Sequence, residues 1–535
     1  MSPLKDFSPR AAAVWFWSVT VFFAALWVIL PALFHTAYRV TDVIELQCIA
    51  KEWVLSTRKH PMLPAWILEI VNILTNRAFV APFLASQICV MISLWSVWQL
   101  GRKVLSEKLA LIGTLAVLPY YFFAYHSLVY NQNTVLIAFW SLSVYLVFQA
   151  FQTNRLFYWI LSGLSIGLAF HAKYPAAFLV LSILIFLFTR PEGRKRWCGT
   201  GPYLTTIIAF LIFLPHVVWL YQNDFATLVY AGHLNTTYSN PVYRVLMPLL
   251  FTIYQFEHWF PILIVLYPAL GFVWKWKVTD IGNTDDSADR SPFSIDREKL
   301  LQKEKRKQCE KYLFHCFMIP FILCLAISAG KNIFISAAYG APFWTFSGVW
   351  ALLRFRVKEL PDTFFRTIRL VVLLEFGMCL LLVVNSCLPY LTGVPKRQLF
   401  PMREFGIACD RIWSSQFDGP CPYVTGDGSL CGYAAWSMKD RPSSHFYWNI
   451  CDGGIHEPNA TPTGTWSTDA DVNQKGGIIV WEVKDSTQKE VPKYVRDRFP
   501  KAEVLPAPII LPYKTKADVP PVKVGVAVVP PKYVP

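Results

Sequence analysis

Apolar runs of roughly 16–25 residues alternate with short polar segments along the first part of the chain, and each run is long enough to cross a hydrocarbon core about 30 Å thick as a helix. The pattern predicts about eleven spans, near 11–34, 79–100, 109–125, 134–151, 157–170, 174–189, 202–221, 247–273, 312–330, 337–353 and 369–391. The run 62–76 contains Glu69 and Asn72 and is expected to lie along the interface instead. From about Gly393 the character changes. Tyr423–Gly426 and Gly477–Glu482 read as short buried strands, with helical stretches near 402–416 and 490–499 between them. The last 20 residues or so, rich in Pro, Val and Lys, read as an extended tail. The expected fold class is a polytopic α-helical membrane domain over 1–392 followed by a small α/β domain over 393–535.

Composition agrees with a membrane protein, since 54% of the 535 residues are hydrophobic. The formal charge of +15 raises nucleic-acid binding as an alternative. The basic residues, however, sit between the apolar runs rather than on a soluble face, so no nucleic-acid partner is expected. Most of them fall in alternate connections: Arg102-Lys103, Arg190 to Arg196, the insert 275–311 and Arg354 to Arg369. The positive-inside rule makes those connections cytoplasmic. An odd number of spans then places the N-terminus in the cytoplasm and the C-terminal domain outside, in the periplasm of a Gram-negative host. No small-residue cleavage site follows the first run, so that run is expected to be a retained span. The insert 275–311 is expected to be disordered or weakly helical.

Cys409, Cys421, Cys431 and Cys451 fall in the external domain, where an oxidising compartment allows two disulfides in any of three pairings. A four-cysteine zinc site is the competing reading, and the absence of a Cys-x-x-Cys pair speaks against it. Asn235 and Asn459 stand in glycosylation sequons, which matter only in a eukaryotic host.

With this topology, chemistry gathers on the external side. The first external loop, 35–78, offers Asp42, Glu45, Lys51, Glu52, Lys59 and His60. Later connections add Asn131 and Asn133, Lys173, His216, Glu257 and Lys331. A carboxylate can take the proton from a hydroxyl nucleophile while nearby cations hold a phosphate leaving group. A polar mouth above an apolar bundle also suits a lipid-linked substrate whose tail stays in the bilayer. Each residue has a plainer reading as well: Asp42 as a helix cap, Lys173 snorkelling, His216 bonding across a kink after Pro215, and Glu257 paired with His258.

Asp42 stands eighteen positions before His60, which opens His60-Pro61-Met62-Leu63. Asn131-Gln132-Asn133-Thr134, the segment Gly163 to Tyr174, and Pro215-His216 with Trp219-Leu220 and Asp224-Phe225 follow in order. In these motifs the chain resembles the bacterial protein O-mannosyltransferase-like glycosyltransferases of GT-C fold, a superfamily that includes the aminoarabinose transferase of lipid A. The resemblance covers most of 35–260 and weakens around 331–350. Val43 replaces the second acid of the usual Asp-Glu pair, with Glu45 two residues on, and Met62 replaces the second Pro of the usual (Lys/His)-Pro-Pro-Leu.

The resemblance implies an inverting transfer from a polyprenyl-phosphate-linked sugar. Asp42 would be the general base and Glu45 would assist. His60, Lys59 and Lys173 would contact the lipid phosphate, and Asn131, Asn133, His216, Glu257 and Lys331 would contact substrate. No metal or other cofactor is implied. The acceptor would be lipopolysaccharide, lipid A or another envelope glycolipid, in the bacterial inner membrane. A protein acceptor is the alternative within the fold. A lipid or solute transporter is the alternative outside it, although no internal repeat is visible. A non-catalytic membrane partner would not need Asp42 and His60 at this spacing.

Overall fold

The computed structural model describes residues 7–233, 238–270, 292–357, 362–394, 396–447, 466–483, 492–513 and 519–532. The membrane domain comprises α1 (Pro9–Phe34), α2 (Thr41–Ala50), α3 (Leu63–Leu74), α4 (Ala81–Gly101), α5 (Glu107–Leu115), α6 (Gln132–Thr153), α7 (Leu156–Ala172), α8 (Ala176–Thr189), α9 (Pro191–Trp197), α10 (Gly201–Gln222), α11 (Ala226–His233), α12 (Tyr243–Leu270), α13 (Pro292–Lys331), α14 (Ser347–Arg354) and α15 (Thr363–Thr392). The C-terminal domain adds α16 (Met402–Ser414), α17 (Gly428–Ser437), α18 (Asp469–Lys475) and α19 (Lys493–Arg498).

Among the described residues, α1, α4, α6, α10, α12, α13 and α15 are long and apolar enough to cross a bilayer, and the bent pair α8–α9 makes a possible eighth. The other three expected spans take different forms. The run 157–170 is the shorter α7. The run 109–125 forms the nine-residue α5 and then a chain of turns leading to a 3₁₀ helix, Tyr125–Leu128. The run 337–353 forms a 3₁₀ helix, Ala337–Gly340, then turns, then α14.

These irregular segments are enclosed. Ala116 to Tyr120 and Phe122 to Ala124 are buried, and their amides bond within successive turns, as from Tyr120 to the Val117 carbonyl at 3.1 Å. Non-helical backbone at membrane depth is tolerated only inside protein in this way. The Tyr120 hydroxyl donates to the Ala341 carbonyl at 3.1 Å and so ties the two irregular segments together.

Glycines set two of the closest helix contacts. A Cβ on Gly348 of α14 would stand 2.0 Å from the Gly113 carbonyl oxygen of α5. Gly163 and Gly167, one turn apart on α7, would meet Thr205 and Ile212 of α10 at 2.8 and 2.7 Å. Small residues at this spacing let helix backbones approach in a bilayer.

The insert differs from the expectation in part. Residues 292–311 are the opening turns of the 40-residue α13, which runs on into the membrane. The segment Glu298 to Lys311 is rich in strong helix formers and is propagated from the span. Residues 275–291 lie outside the described residues.

The C-terminal domain is α/β as expected. Its sheet has the order β2-β1-β3-β6-β4, with β5 also on β6, for β1 (Tyr423–Asp427), β2 (Ser443–Tyr447), β3 (Gly477–Glu482), β4 (Glu503–Val504), β5 (Ile509–Leu511) and β6 (Val522–Val529). Strand β1 is parallel to β2 and β3, and β6 runs antiparallel to β3. The expected extended tail is therefore an inner strand, with Val524 and Val526 to Val529 buried. Cys409, Cys421 and Cys431 are buried free thiols, while Cys451, Asn235 and Asn459 lie outside the described residues.

This domain sits on the first external loop. Helix α17 packs on α2, where a Cβ on Gly432 would meet Ile44 at 2.9 Å, and the Tyr433 hydroxyl donates to the Tyr38 carbonyl at 3.2 Å. Arg441 reaches Glu69 of α3 with both guanidinium ends, at 2.8 and 3.1 Å, and also donates to the Gln47 carbonyl at 3.3 Å. Asn72 bonds Glu69 and the Gln47 side chain at 3.1 and 2.7 Å. A bidentate, enclosed pair of this kind is costly to break from one side only. Arg441→Met is expected to destabilise the detergent-solubilised protein by about 3–5 kcal/mol, read as a lowered unfolding midpoint. Adding Glu69→Gln should recover part of that loss, because no uncompensated carboxylate then remains.

Candidate active site

Helix periodicity divides α2 into two working faces. Ile44 and Cys48 turn to the C-terminal domain, while Asp42 and Glu45, three residues apart, share the other face. After α2 the chain makes a tight turn, with an isolated bridge between Ser56 and Pro61. The Thr57 amide donates to the His60 carbonyl at 3.1 Å, and the Thr57 hydroxyl oxygen accepts from the Lys59 and His60 amides at 3.2 and 3.4 Å. This turn swings Lys59 back over α2, where its Nζ lies 3.0 Å from Glu45. Thr227 of α11 clamps the turn from above by donating to the Thr57 carbonyl at 3.1 Å.

The start of α6 supplies the next two groups. Asn131 is the N-cap, and its Oδ1 accepts from the Asn133 and Thr134 amides at 2.9 and 3.4 Å. The cap fixes its amide orientation, so Nδ2 points outward and donates to Asp42 Oδ2 at 3.1 Å. Asn133 in turn accepts from Lys173 Nζ at 2.8 Å. Lys173 stands in the turn between α7 and α8, with its Nζ 4.3 Å from the centre of the Tyr339 ring.

Asp42, Glu45, Lys59, His60, Asn131, Asn133 and Lys173 are thus brought into one neighbourhood. Tyr230 of α11 and Tyr339 of the second irregular segment complete its wall. The Tyr230 ring meets that of His60 edge-on at 6.4 Å. Burial, followed by the negative charges of Glu45 and Asp42, pushes the Tyr230 phenol up to about 12. Reading the sequence missed both tyrosines. Tyr230 stands in a polar connection without a motif, and Tyr339 lies where the resemblance is weakest.

The other candidates lie apart. His216 is buried in α10 and bonds the Tyr174 hydroxyl at 2.7 Å, which braces α10 against the α7–α8 turn. Glu257 is exposed on α12, next to His258, whose ring stacks on Tyr121 at 4.4 Å. Lys331 is exposed at the end of α13. Among the described residues no group of three or more His, Cys, Asp or Glu side chains converges as a metal site would require.

Electrostatics separates the cationic candidates. Burial, then the positive charges of Lys173 and Lys59, hold His60 well below the ordinary histidine value. At neutral pH its ring is uncharged and can offer a neutral N–H. Burial lowers Lys173 to about 8, and Asp42 opposes that shift. Lys173 is therefore still mainly an ammonium at neutral pH, but holds its proton less firmly than a lysine in water.

A solved structure of ArnT from Cupriavidus metallidurans bound to undecaprenyl phosphate superposes with a TM-score of 0.54 at 12% identity, covering 98% of this chain and 99% of that one. The apo form of the same protein gives 0.55 at 12% identity, over 97% and 98%. The fold is of the GT-C type.

A family model described as dolichyl-phosphate-mannose-protein mannosyltransferase matches residues 59–219 of this GT-C protein. That stretch holds His60, Asn131, Asn133 and Lys173. The chain is also 32% identical over 127 residues to the lipopolysaccharide core galacturonosyltransferase RgtA of Rhizobium johnstonii, a match covering 23% of this chain and 25% of that protein. The chain thus spans about a quarter of the length of this curated relative.

The depressed Lys173 value has a thermodynamic signature. The unfolded chain holds this proton more tightly, so Lys173 costs stability below about pH 8, and the cost fades as the pH rises toward 10.5. Lys173→Met is expected to raise unfolding stability by on the order of 3 kcal/mol at pH 7, less the lost hydrogen bond. The gain over wild type should shrink by pH 10, as followed by unfolding midpoints across that range.

Proposed function

We propose that this protein is an inner-membrane glycosyltransferase that moves a sugar from a polyprenyl-phosphate donor to an envelope glycolipid, with lipopolysaccharide or lipid A as the acceptor. One observation carries the reading. Two asparagines of a single helix start hold Asp42 and Lys173, a proton acceptor and a cation, in one wall. The similarity in part of the chain to a lipopolysaccharide core galacturonosyltransferase supports the acceptor, and the fold shared with a protein solved on undecaprenyl phosphate supports the donor.

In this mechanism the donor tail lies in the bilayer and its phosphate reaches the side of the site formed by Lys173, Lys59 and His60. Asp42 takes the proton from the acceptor hydroxyl. The hydroxyl oxygen attacks the anomeric carbon from the face opposite the phosphate, and the bond from that carbon to the phosphate oxygen breaks. The sugar is transferred with inversion, and polyprenyl phosphate leaves. Lys173 meets the charge that grows on the departing phosphate, and His60 donates a neutral hydrogen bond to it. Lys59 reports on Glu45, which holds it at the rim by their ion pair. The C-terminal domain lies on the outer, periplasmic side and stiffens α2 from behind.

Asp42→Asn tests the base directly. The amide preserves size and can still bond Asn131, so the protein should fold and insert. Transfer should fall by about 10²- to 10⁴-fold. Mass spectrometry of envelope glycolipids from a deletion strain, complemented with wild type or with Asp42→Asn, provides the readout. Loss of one sugar increment, restored by wild type alone, is the expected result. Full restoration by Asp42→Asn would overturn the assignment of the base, and an unchanged deletion profile would overturn the glycolipid acceptor in favour of glycoprotein.

A further inference from the structure

A basic cavity lies at the opposite end of α8 from the candidate active site. Helix α8 starts beside Lys173 and runs for 14 residues, so its far end is about 21 Å away along the axis. There the chain bends by 105° into α9. The corner is tight, since a Cβ on Gly193 would lie 2.2 Å from the Leu187 carbonyl oxygen. Arg190 occupies the corner itself.

A cavity of about 420 Å³ opens there, lined by Arg190, Lys311, Arg354, Glu310, Phe314 and Trp350 among others. A smaller one of about 200 Å³ shares Arg190 and Lys311, adds Lys307, and carries Glu192 and Glu304 on its wall. Glu310 is engaged by Arg354 at 3.7 Å, whereas neither Arg190 nor Lys311 has an ion-pair partner among the described residues. Two donors on residues that line this cavity, Arg190 Nε and Trp350 Nε1, are buried with no hydrogen-bond partner. Buried donors left unpaired cost free energy, most of all on a cation, and an anionic acceptor drawn to this basic corner would offset that cost.

The surroundings decide which anion. Phe314 and Phe188 beside the corner are 42% and 53% exposed, on helices whose outer faces are apolar. A free anion would leave those rings unused, whereas a lipid covers them with its acyl chains. Basic pockets between spans at the membrane surface are where anionic headgroups dock. We propose that the corner between α8 and α9 holds the phosphodiester of an anionic glycerophospholipid, with Arg190 and Lys311 on the phosphate, Trp350 donating to it, and Phe314 and Phe188 against the chains. The proposal is independent of the sugar-transfer reading.

Native mass spectrometry of the delipidated full-length protein in detergent tests it, with phosphatidylglycerol as probe and phosphatidylethanolamine as the zwitterionic control. Wild type should retain phosphatidylglycerol in preference to the control. Arg190→Gln should weaken retention about five- to tenfold. Lys311→Gln, at a half-buried position of α13, should weaken it similarly. Equal retention by wild type and Lys311→Gln would overturn the proposal. So would displacement of the lipid by millimolar inorganic phosphate, which would assign the corner to a free anion.

Discussion

The candidate site depends on the docking of the C-terminal domain against helix α2, and that docking turns on the Arg441–Glu69 pair. Asp42 and Glu45 stand on a ten-residue helix, shorter than one that holds together alone in water. Its backbone is stable only because the opposite face is buried. Ile44 and Cys48 meet α17, and Arg441 bonds both the Gln47 carbonyl and Glu69 of the neighbouring α3. One guanidinium therefore joins two loop helices and a domain some 370 residues away in sequence. An apolar triad of similar shape could hold these parts as firmly. The fork geometry of Arg against carboxylate adds a directional contact between these parts, on the side of α2 away from Asp42.

The irregular membrane segments are the second half of the same design. A straight helix carries its side chains around the whole cylinder and ends at the surface. The turns at 116–131 and 332–346 instead fold back inside the bundle, tied by Tyr120 to the Ala341 carbonyl. One delivers Asn131 and Asn133 and the other delivers Tyr339. Broken backbone in a membrane carries unsatisfied polar groups unless protein surrounds it, so such segments persist where they present a site.

Much of this was legible in the sequence. Hydropathy located every long span, because a bilayer imposes a length on apolar runs that soluble packing does not. The residues Asp42, Glu45, Lys59, His60, Asn131, Asn133 and Lys173 were legible as candidates because each is polar and lies at a helix end or in a short turn. Their pairing was not. Nothing local links Asn131 to Asp42 or Asn133 to Lys173, since those bonds depend on how α6 meets α2 and the α7–α8 turn. The three short or broken segments at 109–125, 157–170 and 337–353 look like spans because burial inside a bundle and exposure to lipid both select apolar side chains. The tail misled for a related reason: Pro residues bracket β6, whose last six residues are all buried and so carry no alternation to mark a strand. Tyr230, Tyr339 and Arg441 had no local signal at all, being made functional by contacts across more than a hundred positions.

The resting charge balance explains how such a site can wait for an anionic lipid without collapsing on itself. Glu45 is matched by Lys59 at the rim. Lys173, deeper, is held by an uncharged amide and a ring face instead of a carboxylate, and burial makes its proton easier to lose than in water. Direct pairing of Lys173 with Asp42 would keep the proton in place but would neutralise the base and block the phosphate. The two asparagines prevent this by occupying the near side of each charge while leaving the far side open. In the proposed reaction, a phosphate arriving beside Lys173 raises the affinity of that amine for its proton, so donor binding secures the charge on the residue that receives the leaving group. Asp42 keeps its free oxygen for the acceptor hydroxyl. A single helix start thereby keeps Asp42 and Lys173 apart, and in the proposed reaction this separation lets one small site serve both ends of the transfer.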